Sequence, residues 1–210
     1  MDEIFDFFGK AVCHQIAERT FLASGRVLSV CARDTGIYLG IFSTLTYLCL
    51  FKKRPSMTIP SVKISMILLI FMLPLMIDGL GSYLHLFESS NLKRIVTGIS
   101  FGMVLPYFLY PLLNVKAIES TSTPVITHSL DVLIPLVLSS ALGGLVFFGV
   151  LPYLMIDGLI IVTIIGWFSL IASFVFSKII IKRIKWAFSI MGSILFLTFL
   201  SILHQILIKG

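Results

Sequence analysis

The chain has 210 residues, 58% hydrophobic and 12% charged, with a mean hydropathy of +1.05. Water-soluble domains carry about 25% charged residues, so this composition excludes a soluble globular protein and makes the bilayer the solvent. The net charge of +6 comes from lysines and arginines at the ends of apolar runs, which excludes a nucleic-acid-binding face and points to membrane topology.

In chain order, the first eight residues are acidic and aromatic, unlike the basic start of a secretory signal. Residues 2–23 set Ile4, Phe5, Phe8, Val12, Ile16 and Phe21 among charges at helical spacing, which predicts an amphipathic helix at the interface. Apolar runs near the roughly 20 residues needed to cross a bilayer follow at 30–51, 62–83, 95–115, 130–150, 153–177 and 186–208. A lipid-exposed backbone must satisfy its own hydrogen bonds, so the spans are helices. The expected fold is all-α, a polytopic integral membrane bundle of about six helices. It forms one membrane-embedded domain over 1–210, with an interfacial helix and loop at 1–29 and the bundle at 30–208. Spans four and five are nearly continuous, with Pro152 and Asp157-Gly158 as candidate breakers. The longest polar connection, 116–127, reads as a flexible loop.

Counting alternate connections puts Lys52, Lys53, Arg54, Lys63, Lys116, Lys178, Lys182, Arg183 and Lys185 on one face. Lys93, Arg94, Lys209 and the N-terminal segment take the other. In a cell membrane the Lys52–Arg54 side is then expected to be cytoplasmic and the N-terminal motif extracytoplasmic. The N-terminal segment, the region 78–94, Asp157 and His204-Gln205 are expected on that second face together.

Cys13, His14, Cys31 and Asp34 offer ligands for a divalent metal, zinc above all. Cys13 and His14 point about 100° apart on a helix, so both could bind one ion only if the backbone is irregular there. Either of them with Cys31 and Asp34 makes a three-ligand site with an open position. The same residues also fit interfacial thiols beside a histidine at the wet boundary, or a Cys13–Cys31 disulfide. Arg33 opens the first span, where an ionisable group normally pairs; a structural salt bridge and an anion-binding role both stand. Arg26 reads as a snorkelling side chain. Asp78, in "LPLMIDGL", is either a span-end cap or a partner of Asn91 and Arg94 in "NLKR", and Asp157, in "LPYLMIDGL", reads as a cap or turn. That echo suggests an inverted repeat, but both aspartates fall on one face, where an inversion would put them at opposite depths. His204 and Gln205 stay outside the site, and His128 and Asp131 are boundary groups of the opposite face.

The run "CHQIAERTF", then a glycine, then "VCARDTGIYLG" resembles the signature of a family of small polytopic membrane proteins catalogued as domain of unknown function 2085. That signature reads approximately Cys-His-Gln, Glu-Arg-Ser-Phe and Cys-Ala-Arg-Cys-Thr-Gly-Ile-Tyr-Xaa-Gly, with a later Asp-Gly and Asn-Xaa-Xaa-Arg-Xaa-Xaa-Thr-Gly. The match covers 13–40, and 77–98 through Asp78-Gly79 and "NLKRIVTG"; the later half aligns with no motif. The resemblance gives weight to Cys13, His14, Gln15, Glu18, Arg19, Cys31, Arg33, Asp78, Asn91 and Arg94, and brings no reaction with it. The chain departs at Asp34, where the family has cysteine. A carboxylate cannot close a disulfide, so redox cycling through positions 31 and 34 is excluded, while metal ligation is not.

The leading expectation is a membrane-embedded, metal-dependent hydrolase or transferase acting on an anionic lipid or lipid-linked substrate. Cys13, His14, Cys31 and Asp34 hold the metal, or a cysteine acts as nucleophile with His14 as its base. Gln15, Arg19, Arg33, Asn91 and Arg94 bind the substrate, and Glu18 or Asp78 transfers protons. The alternatives are a transporter of a small polar solute or ion, and a non-catalytic assembly protein. Membrane lipids are the expected partners.

Overall fold

The computed structural model describes residues 2–52, 57–113, 122–177, 179 and 181–209. Lys53, Arg54, Lys116, Lys178 and most of the expected 116–127 loop lie outside them. The described elements are helical: α1 (Asp2–Lys10), α2 (Ala32–Phe51), α3 (Val62–Tyr83), α4 (Asn91–Leu112), α5 (Leu130–Phe147), α6 (Tyr153–Val175) and α7 (Lys182–Lys209). Among the described residues, six of these helices are long and apolar enough to cross a membrane, as expected. Two pairs of two-residue strands complete the set, β1 (Leu22–Ala23) antiparallel to β2 (Arg26–Val27), and β3 (Met57–Thr58) parallel to β4 (Thr123–Pro124).

The chain forms two compact units, one of residues 1–31 and 149–210 and one of residues 32–148. In the second, α2 and α4 run parallel and meet at two Gly-x-x-x-Gly pairs, Gly36 with Gly40 and Gly98 with Gly102. A Cβ at Gly36 would strike the Ile95 carbonyl, one at Gly98 the Arg33 carbonyl and one at Gly102 the Ile37 carbonyl. Small residues thus let two backbones touch, a source of helix association in lipid, where burial from water contributes little. Thr44 Oγ1 adds a hydrogen bond to the Met103 carbonyl, 3.1 Å. Further along, Leu48, Met103, Val104 and Tyr107 form a core with Met57, Leu68 and Val125.

At that end Asp131, only 3% exposed, is a hub. It accepts from Tyr47 Oη (2.7 Å), Lys52 Nζ (2.8 Å) and the backbone N–H groups of Thr127 (2.8 Å) and His128 (3.0 Å). Tyr107 Oη donates to its carbonyl at 2.5 Å. Instead of a wet boundary group, Asp131 is a buried charge with its hydrogen-bonding capacity filled, as burial requires. The start of α4 also differs from expectation, four residues earlier than the apolar run. Ser90 Oγ caps it by accepting from Lys93 N–H at 3.3 Å, which draws Asn91, Lys93 and Arg94 into the first turn.

In the first unit, α6 packs along α7, and α1 packs on both. The amphipathic helix is shorter than expected, stopping at Lys10. Gln15 takes a left-handed backbone with φ 52°, which no helix admits, and only a 3-10 turn, Ala17–Arg19, follows. Ser24 (φ 50°) and Gly25 (φ 76°) then form the two-residue turn between β1 and β2, the positive-φ geometry that suits a tight hairpin. Pro152 precedes α6 and acts as the breaker, whereas Asp157 lies inside that helix.

Candidate functional site

In the first unit, Cys13 lies in the irregular segment after α1, and Cys31 is the residue before α2. Cys13 is 7% exposed, and its Sγ accepts two backbone N–H groups, from Cys31 at 3.1 Å and Gln15 at 3.5 Å. The two Sγ atoms lie within 4.8 Å of one another, and both residues are thiols. Both donors come from backbone next to the pair, so the Cys13 sulfur is fixed in place facing Cys31. Two thiolates on one tetrahedral zinc ion sit roughly 3.8 Å apart, given Zn–S bonds of about 2.3 Å, so the pair fits such an ion. Asp34 occupies the first turn of α2, three residues after Cys31.

The fold around Cys13 is held by Gln15. Its Nε2 donates to the carbonyls of Asp6 (3.0 Å) and Ser29 (2.8 Å), stitching α1 to the segment that leads into Cys31. Gly9 allows this closeness, since a Cβ there would strike the Ser29 carbonyl. His14 turns elsewhere: its ring meets that of His204 on α7 edge to face, with centroids 5.0 Å apart. The irregular backbone thus separates His14 from the thiol pair and gives it a partner that the sequence reading set aside. Glu18 and Arg19 sit exposed on the 3-10 turn. Arg26 does not simply snorkel; its guanidinium carbon stands 5.5 Å from the centre of the Tyr153 ring, a cation–π contact.

Asp157, read from the sequence as a cap or turn, lies inside α6 as a buried acceptor. It is fully buried, and Oδ1 accepts from both the N–H (3.0 Å) and Oγ (2.8 Å) of Ser29. The signal was available in its position five residues after Pro152, which places it in the second turn of a helix.

In the second unit, Arg33 Nη2 pairs with Asp78 Oδ2 at 2.5 Å. Asp78 Oδ1 accepts from Ser89 Oγ at 2.5 Å, so both of its carboxylate oxygens are engaged. Arg33 Nε is buried and, among the described residues, without a hydrogen-bond partner. On α4, Arg94 is 8% exposed and Nη1 donates to Asn91 Oδ1 at 2.9 Å. Asp78 thus pairs with Arg33 and Ser89, and Arg94 with Asn91. The close approach of α2 and α4 sets their first turns side by side, joining two helix N-termini, which favour anions, with Arg33 and Arg94.

The family model described as "Predicted membrane protein (DUF2085)" matches residues 13–109. An uncharacterized protein of Methanocaldococcus jannaschii is 32% identical over 101 residues, covering 48% of this chain and 63% of its own length. An uncharacterized protein of Methanothermobacter thermautotrophicus is 37% identical over 94 residues, covering 45% of this chain and 80% of its own length. This chain therefore spans less than two thirds of the first of these relatives. No solved structure matches the chain. The matched stretch contains every residue from Cys13 to Arg94 and excludes Asp131, Asp157 and His204.

Proposed function

We propose that this chain, which belongs to the family of predicted membrane proteins DUF2085, is a multi-pass membrane enzyme acting at the extracytoplasmic face on an anionic lipid or lipid-linked substrate. In this reading Cys13 and Cys31, with Asp34 one turn into α2, hold a divalent metal, most simply zinc. The observation that carries it is the pair of N–H donors on Cys13 Sγ with a second thiol within 4.8 Å. When bound, such an ion lowers the pKa of a coordinated water and polarises a phosphoryl or carbonyl oxygen.

The chain's own residues supply the rest. Asp78 and Ser89 fix one end of the Arg33 guanidinium and leave Nε for an anionic oxygen. Asn91 orients Arg94 one turn into α4, a second positive group beside the helix N-termini. Gln15 positions Cys13, Glu18 on its exposed turn carries the proton, and Arg19 gathers the anionic headgroup from the interface. In this reading His14 stands outside the ligand set, its ring against that of His204.

Metal content of the purified protein tests this reading. The wild type is expected to carry a stoichiometric divalent metal, and Cys31→Ser and Asp34→Ala to lose most of it. A metal-free wild type with full complementation by Cys31→Ser overturns it.

One observation favours a second reading, a non-catalytic assembly protein. Gln15 Nε2 and both oxygens of Asp78 are engaged within the chain, which is what pinning elements together requires. Under it, Gln15→Ala frees the N-terminal segment to protease and metal content is nil.

A further inference from the structure

Three cavities lie in series along the second unit. One, of about 470 Å³, is lined by Pro74, Asp78, Lys93 and Thr97 at the end where α3 stops and α4 starts. It shares Leu92 and Val96 with a second of about 470 Å³, which shares Phe71 and Leu136 with a third of about 480 Å³ reaching Ile64 and His128. Each falls in the range of ligand cavities, roughly 300–1,000 Å³. Together they make an apolar furrow between α3 on one side and α4 and α5 on the other. From Ile64 to Asp78 it runs along roughly 20 Å of helix at 1.5 Å rise per residue, the reach of one lipid tail. The furrow exists because α3, the least buried of the six spans, leans chiefly on α4. Gly144, where an added Cβ would meet nothing within 4 Å, also leaves α5 bare there.

The mouth is not neutral. Asp78 lines it, but that charge is taken by Arg33. Lys93 also lines it, is exposed, and among the described residues makes no ion pair. A long apolar slot ending at an uncompensated cation matches one class of occupant. We propose that the furrow holds a hydrocarbon tail of an anionic membrane lipid whose phosphate sits at Lys93. Retention of that lipid stands by itself; it rests on the functional reading above only in taking the retained lipid as the substrate.

Native mass spectrometry of the purified full chain, incubated with equal amounts of phosphatidylglycerol and phosphatidylcholine of matched tails, tests it. The wild type is expected to retain one phosphatidylglycerol, with roughly fivefold preference, the effect of one lysine at a lipid surface. Lys93→Glu abolishes the preference. Gly144→Phe fills the middle cavity, where an added Cβ meets nothing within 4 Å, and abolishes retention of either lipid. Should that variant lose its melting transition, Ser140→Phe on the same wall gives the same reading. Equal retention of both lipids by the wild type, or unchanged retention with the cavity filled, overturns the proposal. Cys31→Ser separates the two readings: it retains the lipid while losing the metal, and retention with a metal-free wild type refutes only the enzyme.

Discussion

Arg33 and Asp78 meet at 2.5 Å although 45 residues separate them, with 23% and 6% of their side chains exposed. The pair joins the first turn of α2 to the last turns of α3 and leaves the guanidinium half committed. Removing one partner of such a pair costs more than removing both, because the survivor is a buried charge without compensation. Asp78→Asn is expected to lower stability by about 3 kcal/mol, read as a lower melting temperature in detergent. Arg33→Met combined with Asp78→Leu should recover most of that loss. A single variant that melts like the wild type would show the pair to be dispensable.

The glycine contact predicts opposite outcomes for two chemically similar changes. Gly98→Val places a Cβ on the Arg33 carbonyl and should cost ~2 kcal/mol or more, or prevent accumulation. Gly144→Ala meets open space and should stabilise the helix by roughly 0.5–1 kcal/mol. Thermal melts of the two variants side by side check the sign of each.

The Asp131 hub predicts a graded series at the other end of the second unit. Tyr47→Phe removes one hydrogen bond and is expected to cost about 1 kcal/mol. Asp131→Leu strips the partners of Tyr47, Lys52 and two backbone N–H groups at once and should cost ~3 kcal/mol or more. Equal melting temperatures for the two variants would contradict the hub.

At Gln15, backbone and side chain can be separated. Gln15→Ala loses two hydrogen bonds and keeps an unfavourable φ of 52°, whereas Gln15→Gly loses the same bonds and relieves the backbone. Limited proteolysis of the N-terminal segment should be fastest for Gln15→Ala, with the glycine variant slower by the effect of about 1 kcal/mol.

Under the metal reading, chelation changes which thiols react. Before chelation a maleimide should spare Cys31, which is only half-buried, and after it label Cys31. Labelling of Cys31 from the start would count against a bound ion.

The spans were legible because apolar runs of bilayer length have few other solutions, and α2, α3, α5 and α6 begin or end within about two residues of where hydropathy puts them. The start of α4 was not, because Ser90 caps a polar turn that hydropathy reads as loop. The site residues from Cys13 to Arg94 were legible as a set through their ordered spacing, but not their pairing. Which carboxylate meets which guanidinium depends on helix rotation, which Gly36 and Gly98 fix through contact and no local pattern announces. His204 and Asp157 were set aside for a related reason. Each is chemically ordinary in isolation and gains meaning only beside His14 or Ser29, more than a hundred residues away.

Where Gly36, Gly40, Gly98 and Gly102 let α2 and α4 touch backbone to backbone, no layer of side chains intervenes to change rotamer and absorb a displacement. The two helices are mechanically one beam. A displacement of the Asn91–Arg94 turn therefore presses directly on the backbone at Arg33, through the Gly98 contact with its carbonyl.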